Sequence, residues 1–128
     1  MKHLSVDDVE IIHMQIIDAS GGSHGTRDRG RILACIASIE QQVFGKRLYP
    51  TIFEQAAALM RGIIAGHAFI DGNKRTGIMV ALIFLNLNGY DTSQISDKKL
   101  EEFAVRVATD HLDVPTIAVW LKANSRRA

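Results

Sequence analysis

The sequence feature that most constrains the fold is an apolar run from Gly77 to Leu87, which reads GIMVALIFLNL. The run has about half of the roughly 20 residues that a helix needs to span a bilayer. An Asn88–Gly89 pair, which is a normal C-terminal helix signal, follows it directly. We therefore predict a central helix that is buried on most sides, and no membrane partner.

The rest of the chain also has the pattern of helices. No segment alternates apolar and polar residues for long enough to predict a substantial sheet. Ser5 can cap a first helix that ends at Gly21, and Thr51 forms a capping box with Glu54 at the start of a third. In the second helix, Leu33 is expected to face the core. We predict six helices, at about residues 6–20, 31–43, 51–67, 73–88, 96–111 and 115–122.

The fold class that this pattern predicts is all-α: a compact single-domain bundle of about six helices with a short flap. The flap is the segment Phe44–Pro50, FGKRLYP, whose glycine, proline and mixed aromatic and basic residues interrupt the helical pattern. A chain of 128 residues suits one domain. We predict a single domain over residues 1–128, with its core at about residues 4–121 and a frayed tail at residues 123–128.

The composition indicates the cellular compartment and excludes some classes of binding partner. The chain has 15 basic and 14 acidic residues and a net charge of +1, which argues against binding nucleic acid through bulk charge. Its single cysteine, Cys35, excludes an internal disulfide and a multi-cysteine zinc site, and is expected to be a small buried hydrophobe. The polar, acidic N-terminus is unlike an export signal. We expect a cytoplasmic protein that does not bind nucleic acid directly.

The chemistry is concentrated between His67 and Arg75, in the stretch HAFIDGNKR. Gly72 lets the backbone approach a ligand closely, and the first N–H groups of the helix that follows form an anion site. Lys74 and Arg75 oppose the positive end of that helix dipole, a penalty that a bound polyphosphate would reverse. Asp71 is an oxygen ligand suited to Mg²⁺, and His67 could act as a general base. The stretch therefore predicts a site for a metal-bound polyphosphate.

Each of these side chains also has a purely structural interpretation. Lys74 and Arg75 could form a solvated first turn, and Asp71 could cap the helix that follows through its side chain. Capping and metal binding do not exclude each other. A histidine such as His67, taken alone, is more often structural than catalytic. We favour the catalytic interpretation because the other polar groups stand in register with it.

This stretch is similar to the signature of the Fic/Doc family, H-x-F-x-(D/E)-(G/A)-N-(G/K)-R. It resembles most closely the death-on-curing (Doc) branch, in which lysine occupies the eighth position. Further segments that resemble this branch extend the likeness over about residues 4–121: Thr26–Gly30, Phe44–Gly45, Leu48–Pro50, Ala56–Ala58 and Phe84–Gly89. The resemblance implies the small all-helical Doc form of the Fic domain.

The resemblance also implies roles for individual residues. His67 would deprotonate a target hydroxyl, and Asp71 would hold Mg²⁺ on the phosphates of ATP. The implied catalytic residues are His67, Asp71, Asn73, Lys74 and Arg75, and the implied nucleotide-binding residues are Gly72, Asn73, Lys74, Arg75 and Gly77. The flap would dock the target polypeptide as an added strand through Lys46, Arg47, Leu48 and Tyr49, although an ordinary polar turn would account for the same residues. Arg27 and Asp28 could either form an ion pair that braces their loop or contact the nucleotide or the target.

Two positions distinguish the implied reaction from adenylyl transfer. Adenylyl-transferring Fic proteins resemble H-P-F-x-x-G-N-G-R with a further arginine three residues on, whereas this chain has Lys74 and Ile78 at those two positions. A lysine fills the room that a glycine leaves for the α- and β-phosphates, and loss of the arginine removes a phosphate clamp. In the Doc branch this combination implies a reversed nucleotide that presents its γ-phosphoryl group. We predict a protein kinase that uses Mg²⁺ and ATP; the alternatives are an adenylyltransferase, a non-catalytic module that binds nucleotide or an antitoxin, and a structural protein without a ligand.

The resemblance implies two protein partners. Doc-branch proteins are toxins of toxin–antitoxin pairs, and the target associated with the branch is a translation elongation factor. Self-inhibited Fic proteins carry S/T-x-x-x-E-(G/N) in the same chain, but the string at Ser93–Asp97 ends in aspartate and is followed by Lys98. We therefore expect restraint by a separate antitoxin chain, a kind of partner that often folds on binding.

Overall fold

The computed structural model describes residues 2–128, and within them the chain forms six α-helices and two short antiparallel ribbons. The helices, α1 to α6 in chain order, are Val6–Ser20, Arg29–Ser38, Ile52–Gly66, Asn73–Leu87, Asp97–Thr109 and Val114–Ala123. The strands, β1 to β4, are Gln42–Val43, Lys46–Arg47, Tyr90–Asp91 and Arg126–Arg127. The prediction of an all-α bundle with a short flap is confirmed.

Helices α3 and α4 pack against each other at the centre of the molecule, with α1 and α5 against α4 and with α2 and α6 against α3. The two central helices approach closely at Gly77. A Cβ atom added there would lie 2.6 Å from Cγ1 of Ile64 and 3.1 Å from the carbonyl oxygen of Met60. The buried residues of α4 lie on most of its sides, as the apolar run predicts: Thr76, Gly77, Ile78, Val80, Ala81, Leu82, Phe84 and Leu85.

The predicted helix starts are confirmed by their caps. Ser5 and Asp8 form a reciprocal capping box on α1, and Thr51 forms one with Glu54 on α3. Ser96 accepts a hydrogen bond at the start of α5. Local side-chain acceptors therefore set where these three helices begin.

Helix α2 differs from its prediction at both ends. It begins at Arg29 because the side chain of Asp28 caps it, and it ends at Ser38, five residues before the predicted end at Val43. Residues 42–43 instead pair with residues 46–47 in the flap. Leu33 was predicted to face the core, but it is 59% exposed, while Ile32 beside it is buried. The inward stripe of this short helix is Ile32, Cys35, Ile36 and Ile39, so it begins one residue before Leu33.

The C-terminal tail was predicted to be frayed, and this is wrong. Arg126–Arg127 forms strand β4, which pairs antiparallel with Tyr90–Asp91 in β3. The backbone N–H of Ala128 also donates to the carbonyl of Gly89 over 2.9 Å. The tail is ordered because it satisfies backbone groups in the turn that follows α4.

A thiol and an indole pack between helices. Burial raises the pKa of the Cys35 thiol to about 11, as expected for a small hydrophobe packed against α3. Trp120 stacks on Phe103 with 3.9 Å between the ring centroids, and so attaches α6 to α5. None of the helices in residues 2–128 is both long enough and apolar enough to cross a membrane.

Candidate active site

The loop between α3 and α4 is held in place by the glycine-rich segment at residues 21–28. The N–H groups of Arg27 and Asp28 donate to the carbonyl of Ala68 over 2.7 and 3.0 Å, and the N–H of Ile70 donates to Gly25 over 3.1 Å. Thr26 and Phe69 form an isolated antiparallel bridge at the same place. The backbone of the 67–72 loop is therefore fixed by main-chain hydrogen bonds rather than by packing alone.

Asn73 closes the same loop with its side chain. Its carboxamide oxygen accepts from the N–H of Phe69 over 3.1 Å, and its Nδ2 donates to the carbonyl of Phe69 over 3.0 Å. Asn73 lies on the cleft described below, but these two bonds give its carboxamide a bracing role.

The carboxylate of Asp71 is held by two backbone donors. The N–H of Ser23 donates to Oδ2 over 3.1 Å, and the N–H of Gly72 donates to Oδ1 over 2.8 Å. These hydrogen bonds, the one from Ser23 first, lower the pKa of the Asp71 carboxyl below its usual value. The group is therefore ionised at neutral pH and retains unused lone pairs.

Helix α4 begins without a side-chain cap. Its N-cap residue is Gly72, in the left-handed conformation with φ 76°, so the alternative in which Asp71 caps this helix is not what forms. The first turn closes when Thr76 donates to the carbonyl of Gly72 over 2.9 Å. The N–H groups of residues 73–75 have no acceptor within residues 2–128. This N-terminus is free to bind an anion.

The free end of α4 borders a large cleft with a volume of about 790 Å³. One wall is the run Asp71–Arg75, and α1 and α5 supply the others. The remaining lining residues are Ile16, Ala19, Ser20, Ile78, Met79, Asp97, Leu100, Glu101, Ala104 and Val105. A cleft of this size accommodates a nucleotide-sized ligand.

Lys74 and Arg75 are both exposed in the first turn of α4. The guanidinium of Arg75 donates to the hydroxyl of Ser20 on α1. The side-chain ammonium of Lys74 forms no hydrogen bond or ion pair with any described residue from 2 to 128. A cation without a partner beside free N–H groups adds to the positive potential at this end of the cleft.

His67 does not line the cleft that Asp71–Arg75 border. It is the exposed C-cap of α3, in the left-handed conformation with φ 47°. Its side chain lines a smaller cavity of about 140 Å³, together with Arg61 and His111. The guanidinium of Arg31 donates to the carbonyl of Gly66 and so fixes the backbone just before His67. The structure therefore brings five of the predicted residues onto the large cleft and places the predicted base beside a second cavity.

Three other predicted residues have structural contacts. Gly77 is buried at the contact between α3 and α4, so its predicted nucleotide contact gains no support from this geometry. Asp28 caps α2 and pairs with Nε of Arg31 over 3.2 Å, so an ion pair between Arg27 and Asp28 does not form. The two residues do brace the loop, but through their backbone N–H groups. The side chain of Arg27 is exposed.

Strand β2 of the flap pairs with β1, which precedes the flap, in a hairpin with Phe44 fully exposed at its turn. Of the four predicted docking residues, Lys46 and Leu48 are exposed. Arg47 and Tyr49 are half-buried. The guanidinium of Arg47 forms an ion pair with Glu40, with 3.6 Å between Nη2 and Oε2. The backbone carbonyl of Tyr49 accepts a hydrogen bond from Nε2 of Gln55. Phe44 was not among the predicted docking residues, although an apolar ring beside a glycine in a polar segment marks a hairpin tip.

The main residue that the sequence did not identify is His13. It is 3% exposed, its Nε2 donates to the backbone carbonyl of Asp71 over 2.8 Å, and its ring stacks on Phe69 at 3.9 Å. His13, Ile17 and Ser20 lie on one face of α1. Through them α1 contacts Asp71, Gly72 and Arg75, respectively. The available signal was a histidine within the apolar stripe of a helix.

Comparison with known proteins agrees with the resemblance. The sequence profile of the Fic/DOC family matches residues 3–85. The chain is 36% identical over 104 residues to the Toxin Doc of Mycolicibacterium smegmatis, which covers 80% of each chain. It is 32% identical over 123 residues to the Protein kinase doc of Escherichia phage P1, covering 95% of this chain and 94% of that one. The chain therefore belongs to the Fic/DOC family.

Proposed function

We propose that this protein is a Doc-like toxin that transfers the γ-phosphoryl group of ATP to a hydroxyl of a target protein. The observation that carries the proposal is the free N-terminus of α4 on a large cleft, flanked by Lys74, Arg75 and the ionised carboxylate of Asp71. The names of the two relatives, a toxin and a protein kinase, support the same activity.

The donors at this cleft fit Mg²⁺ bound to a polyphosphate. No group of three or more histidine, cysteine or acidic side chains in residues 2–128 could form a metal cage. Mg²⁺ in nucleotide sites typically takes one or two carboxylates, and phosphates and water complete its shell. Asp71 would supply the carboxylate. When bound, the ion would neutralise charge on the phosphates, which is the chemistry that this group adds.

The N–H groups at residues 73–75 and the side chains of Lys74 and Arg75 would bind and orient the phosphates. His67 would take the proton of the target hydroxyl, whose oxygen forms the new bond to the γ-phosphorus. The bond from the γ-phosphorus to the bridging oxygen breaks, and its electron pair leaves with ADP. This role requires the target and the γ-phosphate to meet between the large cleft and the cavity that His67 lines.

The choice of phosphoryl over adenylyl transfer rests on Lys74 and Ile78. Ile78 lines the cleft and is 5% exposed, so an apolar wall stands where adenylyl-transferring Fic proteins carry an arginine. Where those proteins have a glycine, this chain has Lys74, whose flexible side chain carries a positive charge. Adenylyl transfer is the second candidate, because a helix N-terminus binds phosphates in either nucleotide orientation.

We also propose partners for the protein. The flap hairpin, with its exposed Phe44 and Leu48, would dock the target, and a translation elongation factor is our candidate. A separate antitoxin would restrain the enzyme, since the chain lacks the inhibitory string of self-inhibited Fic proteins. With a translation elongation factor as its target, the protein would act in the cytoplasm.

The test is incubation of the protein with Mg²⁺, elongation factors and ATP labelled either at the γ- or at the α-phosphorus. We expect γ-label on the target and a mass increase of one phosphoryl group. Transfer of α-label would instead establish the adenylyltransferase. A non-catalytic module would transfer neither label while still binding nucleotide.

A paired variant tests the base. We expect His67→Ala to lower the transfer rate by about 10²- to 10⁴-fold, with nucleotide binding retained. His3→Ala, which changes another exposed histidine that lies outside residues 21–28 and the 67–75 stretch, is the matched control and should be as active as the wild type. A His67→Ala variant that remains fully active would exclude the assigned base.

A further inference from the structure

His13 donates a hydrogen bond to Asp71 in the 67–72 loop, the candidate phosphate loop, although His13 lies outside the 67–75 motif. We infer that His13 is a positioning residue, which holds the Asp71–Gly72 peptide so that the Asp71 carboxylate and the first N–H groups of α4 are presented to the cleft. The ligand of the loop is taken from the proposed function, but the contact itself is independent of it.

The contact is specific in its chemistry. The Asp71 carbonyl can only accept, so the ring nitrogen 2.8 Å from it, Nε2 of His13, must carry a proton. The same peptide is held at its other end, because the N–H of Gly72 donates to Oδ1 of Asp71 over 2.8 Å. With both ends held, the peptide plane cannot rotate without breaking one of these bonds. Its orientation decides where the carboxylate and the helix end point.

The surroundings of His13 leave it little freedom. Its ring is buried and lies nearly parallel to that of Phe69, with an interplanar angle of 5°. Phe69 is itself fully buried and forms both hydrogen bonds with Asn73. Gly72 packs closely under the same face of α1, where an added Cβ would lie 3.0 Å from Cδ1 of Ile17. His13 is thus a rigid donor that connects α1 to the loop.

Packing alone does not account for this residue. An apolar side chain could fill the space on α1 and stack on Phe69, but it would leave the buried side of the Asp71 carbonyl without its donor. When a residue that orients a metal-binding side chain is removed, the affinity for the metal ion typically falls by about 10- to 100-fold. The inference therefore predicts that the donor, rather than the ring, is what the site needs.

Two variants separate the donor from the ring. His13→Phe retains an aromatic ring to stack on Phe69 but removes the donor, whereas His13→Gln retains an N–H donor and removes the ring. Ile12→Val, a buried change on the same helix, is the control for stability. Binding of Mg²⁺-ATP is measured by titration calorimetry, and amide exchange at Ser23 and Gly72 reports on the loop without any ligand.

We expect His13→Phe to weaken Mg²⁺-ATP binding by about 10- to 100-fold and to speed exchange at both amides, while His13→Gln restores most of each. The inference is overturned if His13→Phe folds with wild-type affinity and exchange, or if His13→Gln is as impaired as His13→Phe at equal thermal stability. A wild-type protein that binds no nucleotide would refute the proposed function, but the exchange data would still decide the role of His13.

A spectroscopic measurement on the wild-type protein covers the case in which His13→Phe does not fold. Long-range ¹H–¹⁵N spectra report which ring nitrogen carries the proton. A proton on Nε2 of His13 supports the inference, and an unprotonated Nε2 overturns it.

Discussion

At the scale of single residues, Asp71 offers a prediction that depends on pH. Hydrogen bonds from Ser23 and Gly72 hold the pKa of its carboxyl below the usual 3.8. Such a group contributes stability that is fully present above the unfolded pKa and is lost as the pH falls through the lower folded value. We expect the Ser23 amide to remain protected from exchange down to about pH 4 and to lose protection only at lower pH. Loss of protection already at neutral pH would show that the carboxylate does not hold the loop.

Lys74 decides between the two proposed chemistries. Replacing it with glycine opens the space beside the helix end and removes a charge from the phosphates. We expect Lys74→Gly to lower phosphoryl transfer by about 10- to 100-fold, the range for losing a hydrogen bond to a charged group, and transfer from α-labelled ATP to become measurable. The assay is the labelled-ATP reaction described above.

Lys98→Gly is the matched control, because Lys98 is also an exposed lysine at the second residue of a helix but does not line the cleft. Lys98→Gly also places a glycine in the first turn of a helix and so loses the same helix propensity, but it should leave the rate of phosphoryl transfer unchanged. If Lys74→Gly is as active a kinase as Lys98→Gly, the steric argument for lysine is wrong.

Which residues of the site could be predicted from the sequence depends on how near their contacts lie in the chain. Asp71, Lys74 and Arg75 could be assigned from the sequence because their chemistry and their position before a helix lie within nine residues. His13 could not, because its partner is 58 residues away in the chain and only the packing of α1 on α4 brings the two together. Asp28 was identified but its partner was not, since capping of α2 by Asp28 places Arg31 beside it.

At the scale of helices, a pair of glycines tests the contact between α3 and α4. A Cβ atom at Gly77 would lie 2.6 Å from Cγ1 of Ile64 and would meet a backbone carbonyl, which cannot move aside cheaply. At Gly66, in the last turn of α3, an added Cβ meets nothing within 4 Å. We expect Gly77→Ala to lower the free energy of unfolding by about 1–3 kcal/mol through overpacking. The measurement is chemical denaturation followed by circular dichroism.

Gly66→Ala is the control for the intrinsic effect of alanine in a helix. It should be neutral or stabilise the protein by up to about 1 kcal/mol, because alanine reduces the freedom of the unfolded chain. Gly77→Ala gains the same helix propensity, so the difference between the two variants isolates the clash. Equal stability of the two variants would contradict the close packing of these helices.

Helix starts were predictable because a capping side chain lies within three residues of the N–H group that it satisfies. Helix ends and strand pairs depend on more distant groups. The early end of α2 follows from the pairing of Gln42–Val43 with the flap, and strand β4 forms only because Tyr90–Asp91 presents an unpaired edge at the end of α4. Neither pairing leaves a local signal in a segment that is two residues long.

At the scale of the whole molecule, the buried side chains form one continuous core to which all six helices contribute. The core reaches from Leu4 near the N-terminus to Leu121 in α6. Single domains of this size usually unfold in one cooperative step. We expect the unfolding transitions reported by the fluorescence of Trp120 and by circular dichroism to coincide. Two separate midpoints would contradict the prediction of a single domain.

The C-terminal strand should contribute to that one transition. Removing residues 126–128 would delete β4 and the bond from Ala128 to Gly89, and would leave the edge of Tyr90–Asp91 to water. Backbone hydrogen bonds typically contribute about 1 kcal/mol each, and releasing the tail recovers some entropy. We therefore expect a net loss of about 1–2 kcal/mol, measured by chemical denaturation, with both probes still unfolding together. Since the strand packs at the opposite end of α4 from the candidate phosphate loop, nucleotide binding should not change. A frayed tail would instead leave the stability unaltered, and a loss of nucleotide binding would show that the two ends of α4 are coupled.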